Sequence, residues 1–322
     1  MDYVSLADTG LKVSRLCFGT MTFGGQVDEP EALRIVDRCL DEGINFFDTA
    51  NAYTGGRSET LLGKALKGRR DRVIVASKVF NKVGDAPDDA GLSSAAILKA
   101  IDQSLQRLGM DYLDLYYLHA PDYKVPLDET LEAMEQLVRS RKVRFPASSN
   151  YAAWQVTRML CIAERQGYWP ARTTQPMYNL LARGIEQEYL PMAKELGVAT
   201  VVYNPLAGGL LTGKQRAQGP IEGSRFDKNE MYLNRYWHTA YFDVVERLRD
   251  VARQEGRSLV SMALGWLLHH TQTDCVILGA SRMEQLEENL KAAKEGPLSP
   301  EAIEGCDKVW ASLRGVTPRY NR

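Results

Sequence analysis

Asp48, Tyr53, Lys78 and His119 have side chains suited to one another. A free tyrosine titrates near 10, too high for efficient proton donation around neutral pH. An ammonium beside the phenol favours the phenolate, and each tenfold gain in acidity represents about 1.4 kcal/mol of differential interaction. Burial alone would drive Lys78 towards the neutral amine, so the set needs an opposing carboxylate, and Asp48 is the candidate. His119 could donate a hydrogen bond to a developing alkoxide. Such a group protonates an oxygen but carries no reducing equivalents, so a hydride source is required. Taken singly, each residue has a plainer role: a helix cap, a solvated cation, a packing ring, a satisfied polar group. The catalytic reading depends on their being held together.

The surrounding pattern says how. Short β-branched or aromatic runs alternate with segments of helical period, which predicts βα units and a parallel sheet. The first helix is EPEALRIVDRCLDEG, with Pro30 in its first turn, Leu33, Val36 and Leu40 on one face and Gly43 ending it. The strand INFFDTA then ends at Asp48, Ser58 is placed to cap a helix carrying Leu62 and Leu66, and RVIVASK ends at Lys78. A stripe of Ile97, Ile101, Leu105 and Leu108 stops at Gly109, and YLDLYYLH ends at His119. Further units pair the helix Leu127 to Ser140 with KVRFPASSN and Ala152 to Gln166 with ARTTQPMYN. The helix Gln187 to Leu196 precedes VATVVYNP, and a helical region from Phe242 to Leu268 precedes DCVILGAS and MEQLEENL. With LKVSRLCFGT as the opening strand, eight βα pairs result. The expected fold is α/β, a (β/α)8 TIM barrel with an N-terminal β-hairpin turning near Gly10 and a closing helix from about residue 299. One domain is expected over 1–322. In such barrels function sits at the C-terminal ends of the strands, where Asp48, Lys78 and His119 fall, with Tyr53 in the next loop. The Gly-rich and polar stretch from Leu206 to Asn234 is too long for a plain connector and reads as a lid.

Composition bounds the function. A chain of 322 residues with 44% hydrophobic and 25% charged residues is globular, and a net charge of −1 predicts no bulk attraction to nucleic acid or an anionic membrane. The start MDYVSLADTG lacks an apolar signal core, and no apolar run approaches the roughly 18 residues that would span a bilayer, so no membrane insertion is expected. The five cysteines are scattered without a CxxC pair, which suits reduced thiols in the cytoplasm and supports no metal site. GGLLTGKQ, from Gly208, nearly spells a phosphate-binding P-loop but lacks the Ser or Thr after Lys214 and a following helix. It also fails the GxGxxG spacing, so a Rossmann fold is not supported.

The chain resembles the aldo-keto reductases over nearly its whole length, in particular bacterial NADP-dependent members related to the potassium-channel β-subunit branch. The likeness rests on FDTANAYTGGRSE (Phe47 to Glu59), VIVASK (Val73 to Lys78), DYLDLYYLH (Asp111 to His119), SSN (Ser148 to Asn150), YNPLAGGLLTGK (Tyr203 to Lys214) and LGASRMEQLEEN (Leu278 to Asn289). It implies a catalytic tetrad of Asp48, Tyr53, Lys78 and His119 and an extended NADP(H) bound without a Rossmann domain. Gly19 and Thr20 would lie near the nicotinamide ribose and phosphate. Ser149, Asn150 and Gln175 would hold the carboxamide, and Tyr203 would stack on the ring. Pro205, Leu206, Gly208, Leu210 and Lys214 would follow the pyrophosphate, with Arg225 nearby. Gly279, Ser281, Arg282, Gln285, Glu288 and Asn289 would surround the adenosine end. A helix N-terminus offers free amides and a favourable dipole to a phosphate, and Arg282 adds a cation for a 2′-phosphate, so NADPH is expected over NADH.

Two residues depart from the family pattern. Pro146 in RFPASSN removes an amide from a central strand and predicts local distortion, and Asn204 replaces the usual Ser after the stacking tyrosine. Phe23, Phe80, Tyr123, Tyr151, Tyr232 and Trp237 are candidates for the walls of an apolar pocket. The expected function is NADPH-dependent reduction of a small aldehyde or ketone with Tyr53 as general acid, by a chain whose oligomeric state is open. The alternative is an NADPH-sensing regulatory subunit of a membrane partner. A lyase using Lys78 as a Schiff base is disfavoured, because a paired ammonium is a poor nucleophile.

Overall fold

The computed structural model describes residues 1–316; the rest of the expected 1–322 domain lies outside the described residues. The chain opens with an antiparallel hairpin, β1 (Tyr3–Ser5) and β2 (Lys12–Ser14), in register Val4 to Val13. Gly10, at φ +70°, takes the left-handed position next to its turn. Eight parallel strands then close a barrel: β3 (Leu16–Gly19), β4 (Phe46–Asp48), β5 (Ile74–Val79), β6 (Leu113–Leu118), β7 (Val143–Ser149), β8 (Thr173–Gln175), β9 (Ala199–Val202) and β10 (Cys275–Leu278). The last strand pairs with the first, Val276 opposite Leu16. This is the (β/α)8 TIM barrel that the alternation predicts.

The helices follow the expected segments because local signals and apolar stripes agree. In α1 (Glu29–Asp41), the Asp28 side chain accepts from the Glu31 amide and Pro30 sits in the first turn, while Ile35, Val36 and Cys39 face the barrel. In α3 (Ser94–Leu108), Ser93 caps the start and Gly109, at φ +64°, ends the helix. The helices α4 (Leu127–Arg139), α5 (Ala153–Gln166), α6 (Tyr189–Glu195) and α10 (Met283–Ala293) also lie within a residue or three of their expected bounds. The helical region from Phe242 is two helices, α8 (Thr239–Gln254) and α9 (Leu259–His269), parted at Gly256. The long lid-like stretch contains a 3-10 segment, Ala207–Thr212, and the short helix α7 (Glu230–Tyr236), and the chain closes with α11 (Pro300–Arg314).

Two cores result. The larger lies between strands and helices; the smaller fills the barrel, where Cys17, Phe46, Tyr117 and Ile277 meet Leu6, Leu11 and Val13 of the hairpin. The hairpin plugs the N-terminal end, so the C-terminal rim is the face left for chemistry. Pro146 does not distort its strand. β7 runs unbroken through it, with Pro146 opposite Tyr116 of β6, and the β8 ladder begins only one residue later, at Ala147 and Thr173. Among the described residues no helix is long and apolar enough to cross a membrane.

Candidate active site

The barrel brings the four expected groups together. Asp48 ends β4, Lys78 lies near the end of β5 and His119 follows β6 directly. Lys78 is fully buried and its ammonium is ion-paired with the Asp48 carboxylate. It also donates to the Thr49 carbonyl at 2.8 Å and to the Tyr53 hydroxyl at 3.2 Å. The Tyr53 and His119 rings meet edge to face, their centroids 5.9 Å apart.

A strained turn delivers Tyr53 to this point. It opens a 3-10 segment in which Thr54, Gly55 and Gly56 take φ values of +50°, +65° and +86°. The left-handed region costs a non-glycine residue about 1 kcal/mol, and Thr54 offsets this by donating to the Phe23 carbonyl at 2.7 Å. The helix α2 (Arg57–Ala65) begins there, with Gly56 rather than Ser58 at its N-cap. Ser58 is not a cap: it turns inward, fully buried, within 2.8 Å of the Thr20 hydroxyl and 2.9 Å of the Thr49 hydroxyl. This hydroxyl cluster ties the ends of β3 and β4 to α2 and fixes the Tyr53 turn.

The electrostatics differ from expectation in one respect. Burial raises the Tyr53 phenol above its ordinary value and the Asp48 charge adds to this, while Lys78 opposes it without prevailing. The phenol is thus held protonated rather than acidified. Burial also works against the Lys78 ammonium, but Asp48 and Tyr53 outweigh it and its pKa is raised, so the cation persists. His119 is pushed down to about 3, first by burial and then by Lys78, and is a neutral imidazole at physiological pH.

Around the tetrad, Gln175 is buried and donates from Nε2 to the second Asp48 oxygen at 2.9 Å. The Ser149 hydroxyl donates to the Gln175 carbonyl at 2.8 Å. Asn150 is exposed at the rim; its Nδ2 donates to the His119 carbonyl at 2.8 Å and its Oδ1 accepts from the Tyr203 hydroxyl at 2.7 Å. These residues cluster as expected, although much of their bonding capacity is already used within the protein. Thr20 departs further. It is fully buried, its hydroxyl is engaged by Ser58 and Asp48, and its amide donates to the Asp48 carbonyl. It braces the site from inside and leaves Gly19 at the rim.

Along the rim, Asn204 takes φ +65°, accepts from the Gly208 amide at 2.7 Å and donates to the Tyr236 hydroxyl at 2.8 Å. It shapes the loop that follows Tyr203. Pro205 and Leu210 are buried in that loop, with Leu210 part of the core, while Leu206 and Gly208 are partly exposed. Tyr232 packs over Gly208, and the guanidiniums of Arg225 and Arg235 lie 5.4 and 5.7 Å from its ring centroid. Lys214 reaches across to Glu288 of α10 at 3.5 Å. Gly279 is exposed with open space around it, and Arg282 is exposed. The amides near α10 are less free than expected: the Met283 amide donates to Glu31 and the Ser281 amide to Gln285, each at 2.9 Å, and Asn289 donates to the Gly279 carbonyl at 3.3 Å.

Of the candidate pocket walls, Phe23 is in the core against Phe18, and Trp237 packs between Phe226 and Phe242. Tyr151 and Tyr232 are largely buried, Phe80 is partly buried, and Tyr123 stands 83% exposed. Sequence reasoning missed Asn81, whose amide nitrogen lies 3.2 Å from His119 Nδ1; nothing in the spacing between positions 81 and 119 signals that contact.

The model of the aldo/keto reductase family matches residues 15–311. The chain is 38% identical to an uncharacterized oxidoreductase, YrpG, of Bacillus subtilis, covering 99% of this chain and 98% of that one. It is 35% identical to a probable voltage-gated potassium channel subunit beta of Oryza sativa, covering 99% and 100%. It is 36% identical to aflatoxin B1 aldehyde reductase member 2 of Homo sapiens, covering 94% and 88%. A family model spanning almost the whole barrel, and relatives aligned from end to end, place the chain in the aldo/keto reductase family, a family of oxidoreductases that act on small carbonyl compounds.

Proposed function

We propose that this single-domain protein is an NADPH-dependent carbonyl reductase in which Tyr53 protonates the carbonyl oxygen of a small aldehyde or ketone. The observation that carries the reading is the Lys78 ammonium, buried between the Asp48 carboxylate and the Tyr53 hydroxyl at the open end of the barrel. The residues present fit a dinucleotide along the rim. Tyr203, Asn150 and Gln175 stand beside the tetrad, and Lys214 and Arg282 supply cations beyond the open space at Gly279. A nicotinamide held there would supply the hydride. Tyr53, kept protonated, gives up its proton as charge develops on the substrate oxygen, and Lys78 stabilises the phenolate that remains. Asp48 keeps Lys78 charged in its buried position, and Gln175 orients Asp48.

Replacing Tyr53 by Phe should lower turnover by about 10²- to 10⁴-fold while leaving the NADPH dissociation constant within twofold. Unchanged turnover would refute the assignment. A second reading, an NADPH-binding subunit of a membrane partner, is favoured by the potassium-channel names of two relatives at 35% and 36% identity. Negligible turnover on a broad carbonyl panel, together with stable capture of a channel protein, would put that reading first.

A further inference from the structure

We propose that Asn81 is a positioning residue that holds His119 in one tautomer, with its proton on Nε2, so that the imidazole serves as a hydrogen-bond donor and not as a second acid. The inference rests on the reductase reading above and goes beyond it to the state of one ring.

The geometry is local. The backbone of His119 is held on both sides, its amide donating to the Val79 carbonyl at 2.9 Å and its carbonyl accepting from Asn150 Nδ2 at 2.8 Å. The chain therefore cannot slide to change the ring's neighbours. Among the described residues, the ring nitrogen Nδ1 has one hydrogen-bond partner, Asn81 Nδ2, at 3.2 Å. An amide nitrogen offers only hydrogens, so Nδ1 must present its lone pair, and the single proton of a neutral imidazole then lies on Nε2. Lys78 from β5 and Tyr53 from the 3-10 turn face the ring, and no carboxylate is hydrogen-bonded to it among the described residues. Burial and the Lys78 charge both keep the ring neutral.

The consequence for chemistry is a division of labour. A neutral Nε2–H can donate to a developing oxyanion without carrying a charge or titrating near neutrality, and Tyr53 is left as the sole proton source. An acceptor in place of Asn81 would reverse this: it would accept a hydrogen bond from a protonated Nδ1, leave a bare Nε2 facing the substrate in the neutral ring, and favour the imidazolium.

The test uses the full-length protein with NADPH bound and its histidines labelled with 15N. Two-bond proton–nitrogen correlations should show His119 protonated at Nε2 in the parent protein, as a mixture of the Nε2–H and Nδ1–H tautomers in Asn81→Ala, and at Nδ1 or on both nitrogens in Asn81→Asp. In turnover, Asn81→Ala should lose about two- to tenfold in kcat, the scale of one hydrogen bond. Asn81→Asp should lose about 100-fold at pH 8, the scale of an oxyanion donor, and recover as pH falls and the imidazolium forms. The parent profile should show no such ionisation between pH 5 and 8. An Nδ1–H tautomer in the parent protein, an unmixed Nε2–H tautomer in Asn81→Ala, or an Asn81→Asp profile parallel to the parent's would overturn the proposal. If the parent protein reduces no carbonyl, the reductase reading fails instead, while the spectra still decide the tautomer.

Discussion

Two buried carboxylates occupy opposite ends of the same barrel and are put to opposite uses. Asp114, in β6 towards the N-terminal end, is 1% exposed and surrounded by partners. It accepts from the Val75 amide at 2.9 Å, from Arg70 at 2.7 Å and from Arg144 at 2.9 Å, and each guanidinium also lies over a neighbouring ring, Tyr112 or Phe145. All three donors end on the carboxylate, and none of them reaches a group that could pass a proton to another molecule. Asp48 is buried to a similar degree, but its partner Lys78 has its third contact with Tyr53, a group that can give up a proton. A closed network stabilises; a network ending in a titratable group at an open rim can do chemistry.

The widest separation between the two ends should come from Lys78→Met. It removes the charge that stabilises a phenolate, and turnover should fall about 10²- to 10⁴-fold, measured as NADPH oxidation with excess carbonyl substrate. At the other end, Asp114→Ala leaves two arginines unpaired beside the strands. It should cost about 3 kcal/mol of unfolding free energy in urea, discounted because Arg144 is half in solvent. Turnover per folded molecule should stay within twofold. A catalytic loss as large as that of Lys78→Met would erase the distinction.

Acidity sharpens the contrast next. His119 has a folded-state pKa near 3, below its ordinary value, so the unfolded chain binds a proton more readily. Its contribution is present above about pH 6.5 and is lost as pH falls from there towards 3. In unfolding titrations it should account for about 1 kcal/mol between pH 6.5 and 5, a slope that His119→Gln should remove. Over pH 5 to 9 the rate of reduction should stay flat, because the Tyr53 phenol is raised and keeps its proton. The smallest effect belongs to Glu31. Its carboxylate bonds the first amide of α10, where a phosphate would otherwise gain from the helix dipole. Glu31→Gln should tighten NADPH binding about two- to fivefold with little change for NADH, measured by fluorescence titration.

Much of this was legible in the residues. Strand-end residues could be named because the strands and helices are carried by short, uninterrupted runs, and helix limits followed from Pro30, Gly43 and Gly109. What stayed hidden was set by contacts between distant segments. Ser58 has the chemistry of a cap but is drawn inward by Thr20 and Thr49. Thr20 looked like a rim residue and is enclosed by the same cluster. Pro146 looked disruptive, yet it falls just before the β8 ladder begins. The neighbouring charge suggested an acidified Tyr53, whereas burial decides its titration. Charge and period can be read along a chain; depth below the surface cannot.

The barrel's seam has a bearing on synthesis. Leu16 pairs with Val276, so the first barrel strand, although paired early with β4, finds its second partner only after 260 further residues have been made (276 − 16). At ordinary translation speeds that is on the order of tens of seconds. Through that interval the N-terminal half presents an unpaired parallel edge, the kind of surface that recruits stray strands. Shielding that edge until the last strand emerges from the ribosome is thus a demand that this closure places on folding during synthesis.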